Sequence, residues 1–239
     1  MRIDRCALVD SSNQAPGPGG STQDAFAAAR AEMVERQIRR RGVFDPLVLR
    51  AVEHVPRHEF VPAALQPRAY EDAPLPIGGG QTISQPYIVA AMTAALHLQS
   101  SDRVLDVGTG CGYQAAVLSR IVASVYSVEL RQDLALAATQ RLASLGFSNV
   151  HVHCGDGTLG LPEFAPFDAI LVAAAAPSIP QPLLDQLAEA GRLILPVGPS
   201  DHQQLILVLR HAAHFDTTAL EPCQFVPLIG QHGWRESSS

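Results

Sequence analysis

The order of apolar and polar positions divides this chain into a helical front, an alternating middle and a strand-rich end. From Asp24 the apolar residues Phe26, Met33 and Ile38 recur at helical spacing, and Gly42 offers a stop. A second helix is predicted over residues 46–55, with Asp45 as N-cap and Pro46 in its first position. Residues 70–80 are rich in proline and glycine and read as a loop; residues 86–98 read as an apolar helix. Short β-favouring runs then alternate with helical stretches. Strands are predicted at 103–107, 125–129, 150–153, 169–173 and 192–196, and helices at 112–122, 132–145 and 182–190. That alternation predicts an α/β, doubly wound parallel sheet. Residues 204–209 and 221–228 have no helix between them and are expected to close the sheet as an antiparallel pair. The organisation expected is a flexible leader over 1–23, one domain over 24–230 with an N-terminal helical cap, and a polar tail over 231–239.

One junction in this pattern carries chemistry. The strand at 103–107 runs into Gly108-Thr109-Gly110-Cys111-Gly112-Tyr113, and the next strand ends on Glu129. Glycines there let a backbone approach a ligand at the carboxyl edge of the strand, and an acidic residue ending the next strand suits ribose hydroxyls. A dinucleotide fingerprint needs a third glycine one residue later, where Tyr113 stands. A phosphate-binding P-loop needs a lysine, and the chain has none. A nucleoside without phosphates remains, and S-adenosylmethionine fits: its ribose meets Glu129, and its amino-acid end meets Asp106 and loop amides.

Composition narrows the classes further. The 239 residues suffice for one domain with a large core, and 47% of them are hydrophobic. The net charge of −6 argues against non-specific nucleic-acid binding. The one basic cluster, Arg39-Arg40-Arg41, reads as a solvated helix end. Cys6, Cys111, Cys154 and Cys223 form no metal-binding pair and no disulfide framework, so a reducing cytoplasm is expected. The sequence has no membrane span, and its first residues do not read as a secretory signal. No metal site is expected: Pro56 separates His54 from His58, and His151 and His153 read as packed or solvated.

Two more segments bear on function. In GGGQTISQPY (78–87) a glycine run leads into a helix, where Ser84 is most simply the N-cap, a role compatible with binding a carboxylate. Gly155-Asp156-Gly157 follows the third strand, so Asp156 is either a turn residue or an acceptor for an exocyclic adenine amine.

Together these segments resemble the protein-L-isoaspartate O-methyltransferases. The likeness runs from about Met33 to Gly230 and includes MVERQI (33–38), VPRHEFV (55–61), PLPIG (74–78), QTISQP (81–86), the glycine loop, Gly155-Asp156-Gly157, PFDAI (166–170), LPVG (195–198) and FVPL (225–228). It implies a Rossmann-like class I S-adenosylmethionine-dependent methyltransferase fold: a mostly parallel seven-stranded sheet with an antiparallel C-terminal strand. It further implies methyl transfer to the α-carboxylate of isoaspartyl residues in damaged proteins and peptides, by a cytoplasmic monomer. By the same likeness Ser84 matches the active-site serine, and Gln81, Thr82, Ile83 and Ser84 the segment covering the cofactor. Asp106, Gly108, Gly110 and Gly112 match the cofactor loop, Glu129 the ribose acceptor, and Asp156 with Gly157 the adenine contact. Two alternatives stay open: a relative acting on aspartates of a dedicated peptide precursor, and a non-catalytic cofactor-binding scaffold. The alanine-rich run Ala173–Pro177 leaves one side of the substrate cleft undefined.

Overall fold

The computed structural model describes residues 22–212 and 214–235. Residues 1–21 of the expected leader and 236–239 of the expected tail lie outside them; Thr22 and Gln23 already belong to the first helix.

That helix, α1 (Thr22–Met33), continues through a wider π-helical turn at Val34–Ile38 and stops at Gly42, whose φ of 97° is left-handed. In α2 (Pro46–His54) the Asp45 carboxylate accepts from the Leu47 amide at 2.8 Å and the Val48 amide at 3.4 Å. Pro46 sits where a missing N–H costs nothing, and Val48, Leu49, Ala51 and Val52 form the buried face. The expected loop over 70–80 is in part a hairpin. Strands β1 (Leu75–Gly78) and β2 (Gln81–Ile83) pair antiparallel around Gly79 and Gly80, both at positive φ. Helix α3 (Pro86–Ala95) follows.

The main sheet contains β3 (Arg103–Val107), β4 (Ser124–Glu129), β5 (Val150–Cys154), β6 (Phe167–Val172), β7 (Leu187–Val197), β8 (Gln203–His211) and β9 (His214–Cys223). Helices α4 (Tyr113–Ser119), α5 (Gln132–Ser144) and α6 (Gln181–Asp185) join its strands. The spatial order is β5-β4-β3-β6-β7-β8-β9. Pairing is parallel from β5 to β7, and β8 runs antiparallel to both its neighbours.

Two boundaries differ most from expectation. The helix predicted over 182–190 stops at Asp185, and β7 begins at Leu187. Its register against β6 breaks between Leu187 and Arg192, where Ala190 takes a φ of 58° beside Gly191. Helix-favouring alanines therefore sit in a bulge. The last strand is His214–Cys223 rather than 221–228. Residues 214–220 are all exposed at the sheet edge, so they show no apolar alternation to read.

Apolar residues cover both faces of the parallel strands. Val104 joins the core under α3 and α4, whereas Leu105 and Val107 join the opposite one; none is more than 1% exposed. The chain leaves β3 toward β4 on one side and later returns to β6 on the other. The carboxyl end of β3 is thus the topological switch point, where a crevice opens.

Candidate active site

The crevice is shaped first by backbone. Gly108, Gly110 and Gly112 all take positive φ, at 93°, 52° and 91°. The amides of Gly108 and Thr109 both donate to the Val128 carbonyl, which pins the loop to β4. A Cβ on Gly112 would lie 3.2 Å from the Leu142 side chain, so α4 starts pressed against α5. At the end of β4 the Glu129 carboxylate accepts from the Gly110 amide at 2.8 Å and the Arg131 amide at 3.0 Å. Two fixed donors hold it in place on the crevice wall, with lone pairs left for another donor.

Two cavities open here. Gly108, Gly110, Glu129 and Gly157 line the first, which the hairpin residues Gln81 to Ser84 close from above. Arg41, Gln85, Tyr87 and Glu221 line the second. Thr82, Ser84, Ala173 and Val226 line both and form their common wall. Ser84 is not the N-cap of α3. Gln85 holds that position without a side-chain cap bond, because Pro86 is the first helical residue and β2 ends only at Ile83. The serine stands on the link between strand and helix, facing both spaces.

Asp106, Gly112 and Asp156 do not line either cavity. Asp106 is fully buried behind the loop and accepts from the Ser127 hydroxyl at 2.7 Å; Ser127 in turn lies 2.6 Å from the Thr109 hydroxyl. Burial pushes the Asp106 carboxyl up to about 7; the Ser127 hydrogen bond opposes this and the Glu129 charge reinforces it. Through Ser127 and Thr109 it supports the loop from beneath. Asp156 likewise acts within the chain. Its Oδ1 accepts from the Thr158 amide and hydroxyl, and its Oδ2 from the Gln231 amide at 2.7 Å. Its neighbour Gly157 does line the first cavity, and a Cβ there would stand 2.6 Å from Val107.

Sequence reasoning missed part of the site. Residues 226–229 form a wall of the first cavity, held by Ala175 amide-to-Val226 and Leu228 amide-to-Ala175 hydrogen bonds. The Trp234 indole donates to the Ala175 carbonyl at 2.9 Å, so this part of the expected tail fastens that wall. Arg41, expected to be solvated, lies 3.6 Å over the Tyr87 ring and pairs with Asp72 at 3.3 Å beside the second cavity. His151 and His153 pack with Tyr126 and Phe164. His58 stacks on Phe26 at 4.1 Å and reaches the Tyr70 hydroxyl. FVPL (225–228) carried part of the family likeness, but no local pattern assigned it to the cavity, set Arg41 over Tyr87 or joined Trp234 to Ala175.

Residues 28–233 match the model of the protein-L-isoaspartate (D-aspartate) O-methyltransferase family. This chain belongs to that family. A protein-L-isoaspartate O-methyltransferase of Pelobacter propionicus is 57% identical, over 86% of this chain and 92% of its own. One from Methanoculleus marisnigri is 55% identical, over 89% and 96%. Among solved structures, a protein-L-isoaspartate O-methyltransferase superposes with a TM-score of 0.76 at 31% identity, over 85% of this chain and 66% of that one. A Plasmodium falciparum protein described as a putative member, in complex with S-adenosyl-L-homocysteine, gives 0.73 at 25% identity, over 84% and 98%. For a protein-L-isoaspartate methyltransferase fold, the sheet and crevice described above are the expected frame, and the family match ends one residue before Trp234.

Proposed function

We propose that this protein transfers a methyl group from S-adenosylmethionine to the α-carboxylate of L-isoaspartyl residues in damaged proteins and peptides. The observation that carries this reading is the pair of cavities meeting at Ser84, one lined by a nucleoside cradle and the other by Arg41, Gln85 and Glu221 among apolar side chains. The cradle fits the cofactor. Glu129 presents an oriented carboxylate to the ribose, and Gly108, at a φ of 93°, offers bare backbone on the cavity wall. Gly157 lines the cavity where a Cβ would collide with Val107. The bound cofactor supplies an activated methyl on a sulfonium.

The protein's own task is placement. An α-carboxylate titrates near ~3.5 and is already ionised at neutral pH, so no general base is required. Ser84 donates a hydrogen bond to one carboxylate oxygen and turns the other toward the first cavity. Gln81, Thr82 and Ile83 cover the reacting groups and exclude water, which favours a step in which opposite charges cancel. Positioning of this kind is worth roughly 7–11 kcal/mol. Asp106 supports the loop through Ser127 and Thr109, and Asp156 holds the 226–234 wall.

The family membership and the net charge of −6 support a protein or peptide substrate over a nucleic acid. No helix among the described residues is long and apolar enough to cross a membrane. The decisive assay offers labelled S-adenosylmethionine with one short peptide in isoaspartyl and normal aspartyl forms. Base-labile methylation of the isoaspartyl form alone is expected; methylation of neither, with cofactor binding intact, would remove the repair reading.

A further inference from the structure

The tip of the β8–β9 hairpin gathers ligating groups that methyl transfer does not use. His211 and His214 face each other across the turn, and their rings stack at 4.7 Å with 16° between planes. Asp216 stands two residues beyond His214, on the same face of β9. Both imidazoles turn the same nitrogen toward its carboxylate: His211 Nε2 lies 3.0 Å from Oδ2, and His214 Nε2 lies 3.5 Å from Oδ1. We propose that His211, His214 and Asp216 form a binding site for a divalent cation of the zinc class.

The geometry suits that ion. A tetrahedral centre with arms of ~2.0–2.1 Å sets its ligand atoms about 3.3 Å apart; His211 Nε2 lies 3.0 Å from Oδ2 and His214 Nε2 3.5 Å from Oδ1, so a small turn of the carboxylate brings one oxygen to both imidazoles. All three ligand atoms lie within 4.8 Å of one another. His211 Nε2 is buried and, despite its nearness to Asp216, makes no hydrogen bond; an ion in line with its lone pair satisfies it. Two imidazoles and one carboxylate select a borderline metal over magnesium or calcium, which take oxygen ligands. Solvent completes the coordination.

The site clips the start of an edge strand. β9 ends the sheet, and a bond from its first residues back to β8 braces an exposed edge. His211 closes the end of β8 opposite Gln204, the residue that pairs with Val197 and Pro222. The clip is therefore remote from Glu221, which follows Leu220 at the far end of β9, and methyl transfer does not depend on it.

Calorimetric titration of the chelator-stripped full chain with zinc ions tests the site. One saturable site is expected, with a Tm that rises with zinc concentration and binding that weakens on acidification, since imidazoles must be unprotonated to ligate. His214→Ala and Asp216→Asn, both at exposed positions, should each weaken affinity tenfold or more and abolish the Tm response. Cobalt should give a visible spectrum without a thiolate charge-transfer band, which separates this site from binding at the exposed Cys154. Absence of saturable binding, or undiminished affinity in His214→Ala, would overturn the proposal.

Discussion

Single residues in the crevice divide by what they face. Glu129 is held by two amides and faces the nucleoside cavity, whereas Ser84 stands on the wall shared with the second cavity. The two should fail differently. Ser84→Ala removes one hydrogen bond to a charged group, worth ~1.5–3 kcal/mol, so kcat should fall roughly ten- to hundredfold while cofactor affinity holds. Glu129→Ala should instead raise the cofactor dissociation constant. Steady-state kinetics beside calorimetry decide the matter: full turnover by Ser84→Ala leaves that serine structural, and unchanged affinity in Glu129→Ala removes its ribose role. Ser84 was legible as important from its motif, but its freedom from capping duty was not. That depended on a single residue's offset, which placed the N-cap at Gln85.

Elements were read best where local preference and tertiary demand agree. β3 falls at residues 103–107 as expected, because a strand buried on both faces shows an apolar run broken only by Asp106. α2 starts as expected because Asp45 and Pro46 act locally. The misread elements are those settled by partners elsewhere. The stretch Ala188-Glu189-Ala190 favours a helix yet is drawn into a bulge by pairing with β6, and β9 is defined by β8 rather than by its own pattern. The segment after β9 belongs here too, since its bonds to Ala175 and the Asp156 clasp on Gln231 make it a cavity wall. Asp156→Ala removes both the cap of the turn at Thr158 and the bond to Gln231. Loss of a cap costs about 1 kcal/mol, and in a chain of this size lowers Tm by roughly 2–4 °C. The segment beyond Ile229 should also become more open to limited proteolysis, with weaker cofactor binding as an indirect result. An unchanged digestion pattern would contradict the clasp.

At the scale of the whole molecule, the buried Asp106 couples folding to pH. Its carboxyl is raised from 3.8 to about 7 by burial, so the folded chain holds a proton that the unfolded chain releases. Its contribution to stability is complete below 3.8 and is lost as pH rises through about 7. Asp106→Asn keeps a neutral side chain of the same size and has no such dependence. Its Tm relative to the parent chain should therefore climb across that interval and level off above it. A difference that stays flat with pH would show that Asp106 remains charged within the fold.

The sequence alone determined the alternating architecture, the glycine loop with its answering acid at Glu129, and the family likeness. Each rests on short-range facts: apolar period, positive-φ glycines, and an ordered set of motifs. The tertiary structure decided which of those residues reach the crevice. It turned Asp106 and Asp156 into supports, set Ser84 on the wall between two cavities, and brought Arg41 and residues 226–229 to the same place. These outcomes depend on burial and on contacts between distant segments, which short-range pattern does not encode.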